Sequence, residues 1–303
     1  MSKLELTSLN CTNCGASLHG YEGKNEIQCE YCNTRIKVLR PRSVTVTQGN
    51  LSSDNYDRLN NYVEILQKAI RAGNYNEGYE YCNKALEVNP NIGAIWENKA
   101  ICAFWRSVSF LNEDKITISN AREIRTFLSA SKENDPNSET YEITADAIGG
   151  NLATILQLKM STTSPDVTTT VNKTTVKSYS VRALSRIKDY LETMETAFDI
   201  MVNKDADILK YIVNELSNHG KVEWWKAKNA LGKADDPSNA EPTDVATQSG
   251  IDIARKRDAL VKKIQAIDPS YTAPQIKLKL IPAIALFIGI AVAVLFVILS
   301  IKK

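Results

Sequence analysis

Four cysteines near the N-terminus limit what this chain can fold into more than any other feature. They stand as Cys11-Thr12-Asn13-Cys14 and Cys29-Glu30-Tyr31-Cys32, a C-x2-C-x14-C-x2-C arrangement. Two thiolates separated by two residues reach adjacent corners of one tetrahedron from a tight turn, and a second pair across a short hairpin completes it. Gly15 suits the left-handed backbone that follows such a turn. Between the pairs, Ser17-Leu18-His19-Gly20 and Glu26-Ile27-Gln28 read as short strands about a turn at Glu22-Gly23-Lys24-Asn25. A third strand follows at Arg35-Ile36-Lys37-Val38-Leu39. About 30 residues bury too little apolar surface to fold unaided, so a metal that folds them is the direct reading. Four protein sulfurs leave no open coordination position, which predicts one structural Zn2+ ion on Cys11, Cys14, Cys29 and Cys32 and not a catalytic one.

Residues 1–42, read this way, resemble a zinc ribbon. Two disulfides remain the alternative, disfavoured in a reducing compartment, and a redox C-x-x-C is a weaker one. His19 has a spacing that fits no knuckle and reads as a surface residue. Ribbons contact nucleic acid or protein. This one holds six basic and four acidic residues, with Lys24, Arg35, Lys37, Arg40 and Arg42 among the basic ones. So mild a surplus favours protein contact or a purely structural part over nucleic acid.

The stretch 41–55 is polar and without helical periodicity, and residues 43–55 are expected to form a linker. From Tyr56 the pattern turns helical. Gly73-Asn74-Tyr75 suits a turn between helices, Ala85 is a small packing residue and Pro90 ends a helix, while Tyr62 and Trp96 stand one 34-residue period apart. This stretch, about 56–106, resembles tetratricopeptide repeats. It departs from them in Gly78, where that pattern has a small alanine, and in Leu66 and Ala100, where it has a glycine; after Phe104 the match fades. The resemblance implies a protein-binding or packing scaffold built on an antiparallel helical hairpin. Ile65, Leu66, Ala69 and Ile70 would face Tyr79, Cys82 and Leu86, with a third helix through Ile95, Trp96, Cys102, Phe104 and Trp105 covering them. Cys82 and Cys102 read as buried apolar fillers.

The tetratricopeptide-like domain is expected to run over 56–160, with a helix break at Asp135-Pro136. Glu113, Asp114, Glu133, Asp135, Glu139 and Glu142 fall at helix starts and loops and read as solvated caps. Residues 161–232 are expected to be helical. Leu184, Ile187, Leu191, Met194, Phe198 and Met201 recur in steps of three and four, and either form a short coiled coil or pack on Ile208, Tyr211, Ile212 and Leu216. Trp224 and Trp225, set among lysines, fit ordinary helix packing, a membrane interface or a base-stacking platform. Residues 233–249 read as a linker and 250–279 as a juxtamembrane helix and hinge.

The run 280–301 carries no charged residue. At about 1.5 Å per residue it extends about 33 Å, enough to cross a hydrocarbon core of about 30 Å. It predicts a single C-terminal transmembrane helix. With no apolar segment in the first residues and Arg255, Lys256, Arg257, Lys262 and Lys263 upstream, the N-terminal bulk is expected in the cytoplasm. Ala285, Gly289 and Ala293 make a small-residue face. Together with the seam from Leu184 to Met201 it suggests a homo-oligomer.

The whole reads as a mainly α chain with a small β zinc ribbon. We expect a membrane-anchored, cytosolic adaptor that recruits or scaffolds a protein partner. A membrane-associated nucleic-acid-binding or regulatory protein is the alternative. Without a phosphate-binding loop, a nucleophile motif or an open metal position, the sequence does not read as an enzyme.

Overall fold

The computed structural model describes residues 9–108, 117–163, 167–171, 174–178, 181–219 and 245–275. The chain divides into two compact units, Met1–Leu209 and Lys210–Lys303.

The first unit begins with two small antiparallel ladders. β1 (Leu9–Asn10) pairs with β2 (Ser17–Leu18), and β3 (Glu26–Gln28) pairs with β4 (Arg35–Lys37), with Ile27 opposite Ile36. Leu9, Leu18 and Ile36 are buried, an apolar content too small to hold such short strands by itself.

Helices come next, and their starts are written in local chemistry. α1 (Ser53–Arg71) is capped by Ser52, whose side chain accepts from Asn55 N–H. Gly73, at φ 73°, lets the chain reverse before α2 (Tyr75–Val88). There Asn74 accepts from the Glu77 N–H and donates to the Glu77 carboxylate, 3.3 and 2.8 Å. α3 (Gly93–Ser107) is buried on nearly every side, because it packs on α2, on α4 (Ile118–Asn134) and on α5 (Tyr141–Ser161). A capping box of Thr117 and Asn120 opens α4. Gly78 stands where α2 crosses α1 and α3: a Cβ there would lie 3.0 Å from both Cys102 Sγ and Ile70 Cγ1. The glycine that departs from the repeat pattern is thus a close-contact residue.

The expectation of a helical segment over 161–232 is corrected at its start. β5 (Val167–Val171) and β6 (Thr174–Ser178) pair antiparallel before α6 (Val181–Ile200) begins. Val-Thr-Thr-Thr-Val and Thr-Thr-Val are β-branched runs that favour extended backbone. α6 lies against α5 and α4, and Ile187, Leu191, Met194, Phe198 and Met201 are all buried. The seam is therefore spent inside the chain. The approach of α6 to α5 depends on Gly149, where a Cβ would fall 2.4 Å from Met201 Cγ and 2.6 Å from the Ala197 carbonyl oxygen.

α7 (Ala206–His219) leads into the second unit, which also holds α8 (Val245–Ile267). Residues 245–249, expected in a linker, are helical. Ile212, Val213, Leu216, Leu260 and Ile264 are buried. Arg257 ties the unit, donating through Nε to Ser217 Oγ at 2.9 Å and through Nη2 to the Pro274 carbonyl at 2.6 Å.

The transmembrane helix, and with it the single-pass placement with a cytoplasmic bulk, is corrected: among the described residues no helix is long and apolar enough to cross a membrane. The long helices are too charged for it; α5 carries Glu142, Asp146 and Lys159, and α8 carries Arg255, Lys256, Arg257 and Asp258. The run 280–301 with Ala285, Gly289 and Ala293, and the pair Trp224 and Trp225, lie outside the described residues. The fold that stands is mainly helical with a small N-terminal two-sheet β region.

Candidate metal centre

Two turns of the same construction present the cysteines. Gly15 N–H donates to Cys11 O at 3.0 Å and Cys11 N–H to Ala16 O at 2.8 Å; Asn33 N–H donates to Cys29 O at 2.9 Å and Cys29 N–H to Thr34 O at 2.9 Å. Each turn needs one left-handed residue, Gly15 at φ 77° and Asn33 at φ 59°. Asparagine tolerates that conformation better than most side chains, a role for Asn33 that its sequence context does not announce. The second turn also joins β3 to β4, so two of the four sulfurs sit at the tip of that hairpin.

All four sulfurs lie within 4.8 Å of one another. Across the two turns Cys11 approaches Cys32 and Cys14 approaches Cys29, each to 3.6 Å. An ion with sulfur bonds of about 2.3 Å at the centre of a tetrahedron requires sulfurs about 3.8 Å apart, so this donor set fits one ion. A disulfide requires about 2.05 Å, and all four are free thiols. Cys11 and Cys29 are fully buried and Cys14 is exposed. His19 is exposed and stands outside the cluster.

The electrostatics suit a bound cation. Burial pushes the Cys11 thiol up to about 12, with backbone bonds from Cys14 and Asn13 opposing it. Burial also works to raise Cys32, but hydrogen bonds from the Thr34 hydroxyl and backbone and from Cys14 and Cys11 outweigh it, bringing Cys32 down to about 6. A divalent ion favours the thiolate at each position it binds. Supporting groups are in place. Asn13 N–H donates to Cys11 Sγ at 3.4 Å, Asn13 Nδ2 donates to Thr34 Oγ1 at 3.0 Å, and Thr34 Oγ1 lies 3.2 Å from Cys32 Sγ. With its lone pair engaged by Asn13, the Thr34 hydroxyl is free to turn its proton toward a Cys32 thiolate.

The stretch 38–44, which ends the ribbon-like region and begins the expected linker 43–55, is packed inward. Val38, Leu39, Arg42 and Val44 are all buried, and Val44 belongs to the core of α1, α2 and α3. Two buried asparagines read the backbone of this segment as a neighbouring strand would. Asn151 on α5 accepts from Lys37 N–H and donates to Lys37 O, each at 2.8 Å; Asn98 on α3 does the same to Arg42, also at 2.8 Å. The Arg42 guanidinium sits 2.5 Å from Asp135 and 3.6 Å from the fully buried Glu97. Glu97 also accepts from Thr144 and Thr140 at 2.7 and 3.0 Å. Asp135, expected to be a solvated cap, is therefore an ion-pair partner; Glu139 and Glu142 are exposed, and Glu113 and Asp114 lie outside the described residues.

This packing consumes much of the basic rim. Arg42 is engaged as described, and Arg40 donates to the carbonyls of Tyr21 and Lys24 and to Asn25. The stem of Lys37 lies over Gly150, where a Cβ would meet its Cε at 3.0 Å. Lys24 and Arg35 stay exposed.

Two further groups stand out by their chemistry. Cys82 and Cys102 are both fully buried in the core of α1, α2 and α3, and burial holds the Cys82 thiol well above its usual value. The Lys99 ammonium stands 4.2, 4.9 and 5.3 Å from the ring centres of Phe127, Trp96 and Tyr79. Set against protein-family models, curated proteins and solved structures, the chain matches none.

Proposed function

We propose that the chain is a non-enzymatic adaptor whose four cysteines hold one structural zinc ion and whose helices act as a tetratricopeptide-like scaffold for a protein partner. The observation that carries this reading is the closed donor set. Four protein sulfurs at mutual distances suited to a tetrahedron leave no position for a substrate or an activated water. The stacking of α1 through α4 as successive packed helices supports the scaffold reading. Protein is favoured over nucleic acid because Arg40 and Arg42 are engaged internally. Tyr31, at the tip of the second cysteine turn, is 76% exposed and offers an amphipathic ring of the kind that anchors protein interfaces.

Elemental analysis of the full chain tests the metal, with one zinc per chain expected and none refuting it. A photo-crosslinker at Tyr31 and salt titrations with single- and double-stranded oligonucleotides separate the partner classes. Protein adducts at Tyr31 and no salt-sensitive oligonucleotide binding are expected; oligonucleotide affinity that falls steeply with salt would reverse the assignment.

A further inference from the structure

We propose that metal occupancy at the four cysteines is thermodynamically linked to the packing of α3 and α5 through the asparagine clamps at Asn98 and Asn151. The proposal goes beyond the adaptor reading and rests only on the metal site. It makes the ribbon the metal-controlled outer layer of the helical body.

The path is short and continuous. Cys29 and Cys32 form the turn of the β3–β4 hairpin, closed by Cys29 N–H to Thr34 O at 2.9 Å. The hairpin register places Gln28 opposite Arg35 and Glu26 opposite Lys37, and Val38 N–H then donates to Asn25 O at 2.8 Å. At the far end of β4, Lys37 is the residue held by Asn151. Five residues further on, Arg42 is held by Asn98 and inserted between Glu97 and Asp135.

Each clamp needs the segment in one extended conformation, because a side-chain amide can satisfy both the N–H and the C=O of one residue only when they are presented together. The clamps are 0% exposed at Asn98 and 1% at Asn151. Withdrawal of the segment would leave two buried amides without these partners and the buried Glu97 carboxylate without its cation, which is strongly unfavourable. The hairpin in turn has three-residue strands and one fully buried apolar residue, Ile36, so its order depends on what holds its tip. Around Asn151, α5 is adapted for this contact. Gly149 admits α6, Gly150 admits the Lys37 stem, and Asn151 takes the Lys37 backbone. Linkage is reciprocal: whatever the ribbon lends to α3 and α5 when loaded, the clamps return as metal affinity.

The test uses the full chain and zinc as the probe. Zinc affinity is measured by competition with a chromogenic chelator for the wild type, Asn151→Ala, Asn98→Ala and, as a control of general destabilisation, Leu128→Ala in α4. The clamp variants, which touch no ligand, are expected to bind zinc at least about ten-fold more weakly, while Leu128→Ala leaves the affinity within about two-fold. In parallel, hydrogen exchange of the wild type is compared with and without chelator. Protection is expected to fall on metal removal in α3 near Asn98 and in α5 near Asn151, not only within residues 9–36. That measurement needs no variant and so stands even where a substitution prevents folding. Unchanged zinc affinity in a folded Asn151→Ala chain, or exchange changes confined to residues 9–36, overturns the linkage while leaving the metal site in place. No zinc bound by the wild type overturns both.

Discussion

Replacing Arg42 by methionine is expected to destabilise the first unit by about 3–5 kcal/mol, the range for removing one partner of a buried ion pair. The figure comes from the groups that would be stranded. The side chains of Arg42 and Glu97 are 5% and 0% exposed. Glu97 would keep the Thr140 and Thr144 hydroxyls at 3.0 and 2.7 Å but lose the only cation within 4 Å among the described residues. Asp135, 30% exposed, would recover part of its loss by hydration. Methionine keeps most of the buried stem, so the effect reads charge and hydrogen bonding more than volume. Replacing Glu97 as well, by glutamine, removes the stranded charge, and Arg42→Met/Glu97→Gln should cost less than the sum of the single changes by more than about 1 kcal/mol. Urea unfolding of the metal-loaded chain followed by circular dichroism measures all three. A loss below about 1 kcal/mol for Arg42→Met, or strict additivity in the double variant, would show that the Glu97 carboxylate is solvated and gains little from Arg42.

Three further outcomes are expected. Gly149→Ala should destabilise by about 1–3 kcal/mol in the same urea assay, since the 2.6 Å approach of its Cβ to the Ala197 carbonyl oxygen outweighs the gain of about 1 kcal/mol in helix propensity; equal or greater stability would refute it. Cys11→Ser should abolish stoichiometric zinc binding, measured by elemental analysis of the purified chain, while His19→Ala should leave it intact. Burial raises Tyr79 to about 12, with the hydrogen bond to Glu123 adding to it, and burial raises Tyr211 likewise. These phenols contribute stability that is complete below an unfolded value of about 10 and is lost as pH rises through about 12. Urea midpoints should fall between pH 10 and 12, and Tyr79→Phe should lessen that fall.

The parts of the site visible in the sequence were those fixed by local spacing. Cys11, Cys14, Cys29 and Cys32 declare a common centre because each pair lies within one turn of chain. The hairpin of α1 and α2 was visible through Gly73 and the apolar spacing about Leu66 and Leu86. Hidden were the pairings between distant residues. Nothing near Asn98 or Asn151 indicates that their amides would hold the backbone of residues 42 and 37, and the polar sequence after Leu39 looks like a linker because only Arg42, Val44 and their immediate neighbours are taken inward. Glu97 reads as one more helix-surface acid until the arginine that enters from residue 42 is known. Two signals were nevertheless there. Gly149 and Gly150, adjacent in the middle of a helix, carry a propensity cost that asks for a close contact. The β-branched runs from Val167 to Lys177 ask for strands.

The clamped segment also bears on how a partner would meet the first unit. A ribbon on a flexible linker would have to be ordered by its partner, and each side chain immobilised in that event costs about 0.5–1.5 kcal/mol. Here Lys37 and Arg42 fix the hairpin against α5 and α3 before any partner arrives. One face of the ribbon is turned inward by Ile36, Val38 and Leu39, all 3% exposed or less. The exposed surface left over includes Cys14, Lys24, Tyr31 and Arg35. A partner using it would gain from a Tyr31 ring on the turn that the proposed metal would hold, and the same interface should weaken on metal removal even where it touches no sulfur. Binding by a partner crosslinked at Tyr31 should therefore fall with chelator in the wild type and be restored by added zinc. Binding that is indifferent to chelator would place the contact on the helices alone.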